Sequence, residues 1–138
     1  MARLLTDPRG RAKVYRPMTP AARAEAFAAF LAAYESGEYF EAHELLEPAW
    51  MGSPAETERE FFQGLIKLAA AFVHADRGNP AGIVKNLRCA RERLAGAAPG
   101  EARVDVPATI AAIDDRLARL AAGATRVGTI PIQHRNAR

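Results

Sequence analysis

FFQGLIKLAAAFVH, residues 61–74, decides the fold of this chain. Phe61, Phe62, Leu65, Ile66, Leu68, Ala69, Phe72 and Val73 spread over well more than half of a helical circumference. A helix that apolar is covered by neighbours on most of its sides. It belongs in the centre, and the rest of the chain is read as what surrounds it. Ahead of it, Ser53-Pro54-Ala55-Glu56 reads as a capping box, in which serine and glutamate satisfy each other's orphan amides. Behind it, Gly78 ends the helix near Arg77 in the left-handed conformation, and Asn79-Pro80 opens the next as cap and first residue.

Working outward, Thr19-Pro20 starts a first helix. The hydroxyl can accept from an exposed amide, and proline at the first position loses no hydrogen bond. Phe27, Phe30, Leu31 and Tyr34 form its apolar stripe, and Ser36-Gly37 stops it. A second helix runs from about Glu38 to Trp50, ending near Met51-Gly52. The fourth, about Pro80 to Ala95, carries Ile83, Leu87, Ala90 and Leu94 at spacings of four, three and four. After an Ala/Pro/Gly-rich loop the fifth repeats the seam with Val106, Ile110, Ile113, Leu117 and Leu120. That seam either closes the bundle or pairs with a second copy, and closure is the expectation. From Gly123 the chain is irregular, with Ile130-Pro131-Ile132 as an extended strap that buries two isoleucines on the bundle.

The fold class is therefore all-α, an antiparallel bundle of about five helices joined by short loops. The bundle covers residues 19–122, between an irregular basic N-terminal segment, 1–18, and an extended C-terminal tail, 123–138. A length of 138 residues suits one core. The lone Cys89 allows no intrachain disulfide and fits a reducing compartment. No apolar run is long enough to span a membrane, and the first ten residues lack the apolar stretch of a secretory signal. The expected location is the cytoplasm.

The net charge of +3 conceals an asymmetry. Arg3, Arg9, Arg11, Lys13 and Arg16 stand against Asp7 alone at one end, and Arg126, Arg135 and Arg138 have no acid beside them at the other. Between these ends lie eleven basic and fifteen acidic residues, a net of −4. Basic ends can touch nucleic acid, although solvated or folded-back ends are the plainer reading. Lys85, Arg88, Arg91 and Arg93 on the fourth helix face the acidic second helix in charge, and mutual pairing around the bundle is their simplest role. The fourth helix has no aromatic residue to interleave with those cations, so a nucleic-acid surface is not expected there.

Polar chemistry concentrates in EAHELLEPAW, residues 41–50. His43 and Glu47 are one turn apart on a helix, in an arc shared with Tyr39, Phe40, Leu46 and Trp50. An unsatisfied polar group in such surroundings costs about 1–3 kcal/mol, so each needs a partner. Hairpin arithmetic places His43 level with Phe61 to Gln63 and Lys67 level with Ala90 and Arg91. A mid-bundle site thus collects His43, Glu47, Gln63, Lys67 and Arg91 beside Trp50. His74 continues the Gln63 and Lys67 face, two turns beyond Lys67, and is expected to lie too far from His43 to share an ion.

Two metal signatures are excluded. Zinc proteases require a second histidine four residues on, where this chain has Glu47. Di-iron bundles require Glu-x-x-His, and neither His43 nor His74 has a glutamate three residues before it. His43 and Glu47 remain weak metal candidates, with no cofactor implied. As an enzyme, the chain would use His43 as general base and Glu47 to orient it, in a small-molecule hydrolase or metal-assisted catalyst. No activated nucleophile and no phosphate-cradling glycine loop accompany the pair.

HELLEPAW, FFQGLIKLAAAFVH and GNPAGIVKNLRCARERL (residues 78–94) together resemble the family catalogued as domain of unknown function number 309, over roughly Phe30 to Leu94. The resemblance implies a small all-helical bundle, with His43, Glu44, Glu47, Trp50, Gln63, Gly64, His74 and Asn79 on the family pattern. Lys67 departs from it, since an uncharged glutamine is associated with that position. No activity or cofactor comes with the resemblance. The expected function is a binding or interaction module whose polar cluster orders the core or receives a small ligand, with self-association through the fifth helix as the other partner class.

Overall fold

The computed structural model describes residues 4–6, 12–14, 16–97 and 103–133. Its five helices are α1 (Pro20–Glu35), α2 (Tyr39–Gly52), α3 (Glu56–Asp76), α4 (Pro80–Ala97) and α5 (Val106–Ala121). Local chemistry explains most of their ends. The Thr19 hydroxyl accepts from the Ala22 amide at 3.1 Å, and Gly37 turns the chain out of α1 at φ +79°. After α3 the Asn79 amide donates to the His74 carbonyl and the Gly78 amide to that of Ala75. This pairing closes the helix through Gly78 at φ +65°.

The junction between α2 and α3 departs from the expected capping box. Helix α3 begins at Glu56, after Ala55, and the Ser53 hydroxyl turns back to the Ala49 carbonyl at 2.7 Å. Ser53 is fully buried, so its side chain satisfies the end of α2 rather than the start of α3. Arg59 reaches back to the carbonyls of Ser53 and Pro54, each at 3.0 Å. Before α1, where an irregular segment was expected, β1 (Leu4–Thr6) and β2 (Ala12–Val14) pair antiparallel, with Leu5 opposite Lys13. Three-residue strands are too short to leave a periodicity in the sequence.

The centre of the molecule is α3, which packs most extensively on α4 and next on α2; α1 lies on α2 and α5 on α4. Phe61, Phe62, Leu65, Ile66, Leu68, Ala69 and Phe72 are all buried. At the end nearest the start of α3, the rings of Phe27, Phe61 and Phe62 cluster, with centroids 5.6–6.3 Å apart. The Arg103 guanidinium lies over all three, 4.9–5.3 Å from their centroids. Glu58 holds that guanidinium at 3.2 Å and Arg23 at 2.6 Å. The charge above the rings is thus paired rather than isolated.

Helix α5 closes the bundle through Val106 and Ile113, which are buried, while Ile110, Leu117 and Leu120 pack against the core half-exposed. Beyond it the strap behaves as its residues suggested. Ile130 and Ile132 are buried, the Tyr34 hydroxyl donates to the Ile130 carbonyl at 2.6 Å, and Arg116 donates to the carbonyls of Gly128 and Thr129.

Burial, reinforced by neighbouring Tyr39, pushes the Tyr34 phenol well above the ordinary tyrosine range, and Arg116 opposes this only in part. The unfolded phenol ionises near pH 10, so its contribution to stability is complete below that pH and declines as pH rises above it. Tyr34→Phe strands the Ile130 carbonyl and should cost about 1–2 kcal/mol at neutral pH. Denaturant melts should also show less loss of stability between pH 10 and 11 in the variant than in the parent. An equal alkaline loss in both would show that Tyr34 is not the titrating group.

Candidate functional site

Helix α2 carries two adjacent stripes. Tyr39, Ala42, Leu46, Ala49 and Trp50 are buried, whereas Phe40, His43 and Glu47 lie one residue-step around the helix, at spacings of three and four. The second stripe is amphipathic. His43 and Glu47 side chains are 14% and 22% exposed, and Phe40, expected in the apolar arc, is half exposed. The difference is a rotation of about one residue, or 100°, about the helix axis.

Phe40 and His43 of the rotated stripe, but not Glu47, border a cleft of about 650 Å³. Phe40 and His43 of α2 form one wall. Lys67, Ala70 and His74 of α3, again at spacings of three and four, run along it. The opposite wall is the start of α4, with Asn79, Gly82, Lys85 and Asn86. His43 and His74, expected to lie too far apart to share an ion, both line this one cleft.

The α4 wall depends on Gly82. A Cβ at this position would lie 2.3 Å from His74 Nδ1 and 2.9 Å from Asn79 Nδ2. Its absence lets the imidazole sit against the backbone of α4. Asn79 accepts from the Gly82 amide through Oδ1 at 3.3 Å, and its Nδ2 lies 3.1 Å from His74 Nδ1. The first bond orients the amide, so Nδ2 donates and Nδ1 accepts. The hydrogen-bond network thus assigns the ring N–H to Nε2. Asn86 is fixed too, donating from Nδ2 to the Gly82 carbonyl at 2.9 Å.

The other residues singled out from sequence fall elsewhere. Gln63 and Trp50 are buried and do not line the cleft. Arg91 is at the expected level of α4 but on its outer face, paired through two nitrogens with Asp114 of α5 at 2.5 and 3.2 Å. That hydrogen bonding holds the Asp114 carboxyl below the usual carboxylate range and raises Arg91. Arg93 pairs with Glu60 of α3 at 3.0 Å, so these two cations serve α5 and α3 rather than the acidic second helix.

His43 Nε2 and Glu47 Oε2 stand 3.8 Å apart, longer than a hydrogen bond. A base oriented by its carboxylate would need about 3.2 Å or less in the working complex. Among the described residues no group of three or more His, Cys, Asp or Glu side chains is placed to hold a metal ion. Cys89 is half-buried. No helix among the described residues is long and apolar enough to cross a membrane. The basic ends, where nucleic-acid contact was considered, fall largely outside the described residues.

Residues that sequence reasoning undervalued are Asn79, Gly82, Lys85 and Asn86. Their signal was present as polar or small residues at spacings of three and four along the first turns of α4, on the side that meets His74.

Comparison with known proteins agrees with the resemblance read from the motifs. Residues 27–86 match the family model described as Domain of unknown function (DUF309). An uncharacterized protein of Bacillus subtilis (strain 168), YpuF, is 42% identical over 45 residues, which are 33% of this chain and 26% of that protein. The match therefore spans about a quarter of the relative's length. No solved structure matches.

Proposed function

We propose, for a chain whose residues 27–86 match the family model of domains of unknown function DUF309, that it is a small-molecule binding module whose receptor is the cleft between α2, α3 and α4. The observation that carries this reading is convergence. Three helices with otherwise apolar inner faces each turn polar side chains toward the same cleft: His43 from α2, Lys67 and His74 from α3, and Asn79, Lys85 and Asn86 from α4. Its volume lies within the usual range for small-ligand sites. A merely structural polar cluster would be filled by its own side chains. The lone cysteine, Cys89, supports placing the module in a reducing compartment.

The test is a fragment screen read by amide resonances of the isotope-labelled full chain. Binding fragments should perturb the amides of residues 40–47, 67–74 and 79–86 together. The paired substitution Phe40→Ala and His43→Ala should abolish those shifts while lowering the melting temperature by no more than about 2–4 °C, as expected where neither side chain is core. Fragments that cluster at another surface would overturn the reading. So would a double variant that simply unfolds, since the cluster would then be structural.

A further inference from the structure

Resting on that reading of the cleft, we infer that its ligand is an anion of the phosphate type joined to a planar apolar group. Three features support this. The side chains lining the cleft include Lys67, Arg77 and Lys85, and none is a carboxylate among the described residues. The body of the chain between its basic ends carries more acid than base, so a lining whose formally charged side chains are lysine and arginine runs against the local composition.

The second feature is the tautomer of His74. Asn79 is held by the Gly82 amide and donates to His74 Nδ1, which leaves Nε2 as the N–H donor of that ring. Gly82 makes the arrangement sterically feasible, because any Cβ there would meet the ring. The α3 side of the cleft therefore carries a donor whose orientation is set, through Asn79, before a ligand arrives. Such preorganisation reduces the ordering cost of binding. Donors fixed beside cations suit an oxyanion rich in acceptors.

The third feature is Phe40. Among the described residues it is the exposed large hydrophobic side chain, at 50%, and its ring lies 6.0 Å from that of His43. An exposed aromatic face at the rim of a cationic cleft suits a planar body whose charged end reaches Lys85, Arg77 and His74. The size of the cleft favours a small molecule over a polymer.

Phenyl phosphate is the probe, titrated into the labelled full chain beside phenol, benzylamine and inorganic phosphate. Phenyl phosphate should shift the amides of 67–74 and 79–86 saturably and bind at least roughly tenfold more tightly than each of the others. Lys85→Gln and Arg77→Gln should each weaken it by roughly tenfold, the scale of one charge-assisted hydrogen bond. Asn79→Asp retains a good helix cap but replaces the donor facing Nδ1 with an acceptor. Nitrogen shifts of the His74 imidazole should then report the N–H on Nδ1, and affinity should fall while the melting temperature holds.

Phenol or benzylamine binding at the same amides as tightly as phenyl phosphate would overturn the anion inference and leave the cleft a ligand site. Inorganic phosphate binding equally well would overturn the planar half. Lysine and arginine variants of unchanged affinity, or a parent His74 carrying its N–H on Nδ1, would overturn the assignment of donors. No response to any probe, together with an empty fragment screen, would remove the underlying reading as well.

Discussion

Phe61→Ala is expected to destabilise the bundle by about 3–5 kcal/mol, a large part of the stability of a domain this size. Phe61 is fully buried and packs between Phe27 and Phe62, with ring centroids at 5.8 and 5.6 Å. Truncation opens a void that α3 cannot fill, because this helix is packed against both α2 and α4. It also removes one of the three rings beneath the Arg103 guanidinium, so Arg103 loses packing as well as a cation–π contact. Urea melts of the purified variant measure this directly. A loss below about 1 kcal/mol would mean that the cluster collapses around the gap and that α3 is not the rigid centre described. Arg103→Met provides the control. It keeps much of the apolar stem but leaves Glu58 with Arg23 alone, and it should cost less than Phe61→Ala.

How much could be read beforehand depends on the range of the chemistry. The cap at Thr19, the turns at Gly37 and Gly78 and the central place of α3 follow from interactions within a few residues or from the apolar arc of one helix. Each was legible. The strap was legible for a similar reason, since Ile130 and Ile132 flank a proline in a segment with no sheet to join. The candidate site was legible only in part. His43, Glu47 and Lys67 stood out because polar residues interrupt apolar stripes, but their grouping depended on helix rotation. A turn of about 100° separates the buried stripe of α2 from the one bearing Phe40 and His43, and the sequence pattern does not resolve it. Arg91 illustrates the same point: hairpin arithmetic sets a level along α4 but not the face, and that residue meets Asp114 on the outside. Ser53 illustrates another: its hydroxyl had two carbonyl or amide partners within reach, and burial against the end of α2 selected Ala49.

Gly64→Val is expected to cost about 2 kcal/mol, and its dependence on Leu94 tests how α3 and α4 come together. A Cβ on Gly64 would lie 2.7 and 2.8 Å from Leu94 Cγ and Cδ2, and 3.2 Å from the Leu94 backbone nitrogen. Leu94 is fully buried, so it cannot swing into solvent to make room. Valine adds further carbons in the same space, and overpacking of this kind costs about 1–3 kcal/mol or more. Replacing glycine within a helix returns part of that, because glycine is about 1 kcal/mol less favourable than alanine in a helix interior. The size of the net cost therefore depends on the contact, which a double-mutant cycle isolates. Leu94→Ala alone should cost about 2–5 kcal/mol through its cavity, but the same change in the Gly64→Val background should cost at least about 1 kcal/mol less, because it also relieves the clash. Additive effects would mean that the helices separate at Gly64 rather than interlock. That outcome would bear on the cleft too. Gly64 and Gly82 mark two close approaches of the same helix pair, the first against a leucine and the second against His74, and a hinge at the first would shift the imidazole that the second holds in place.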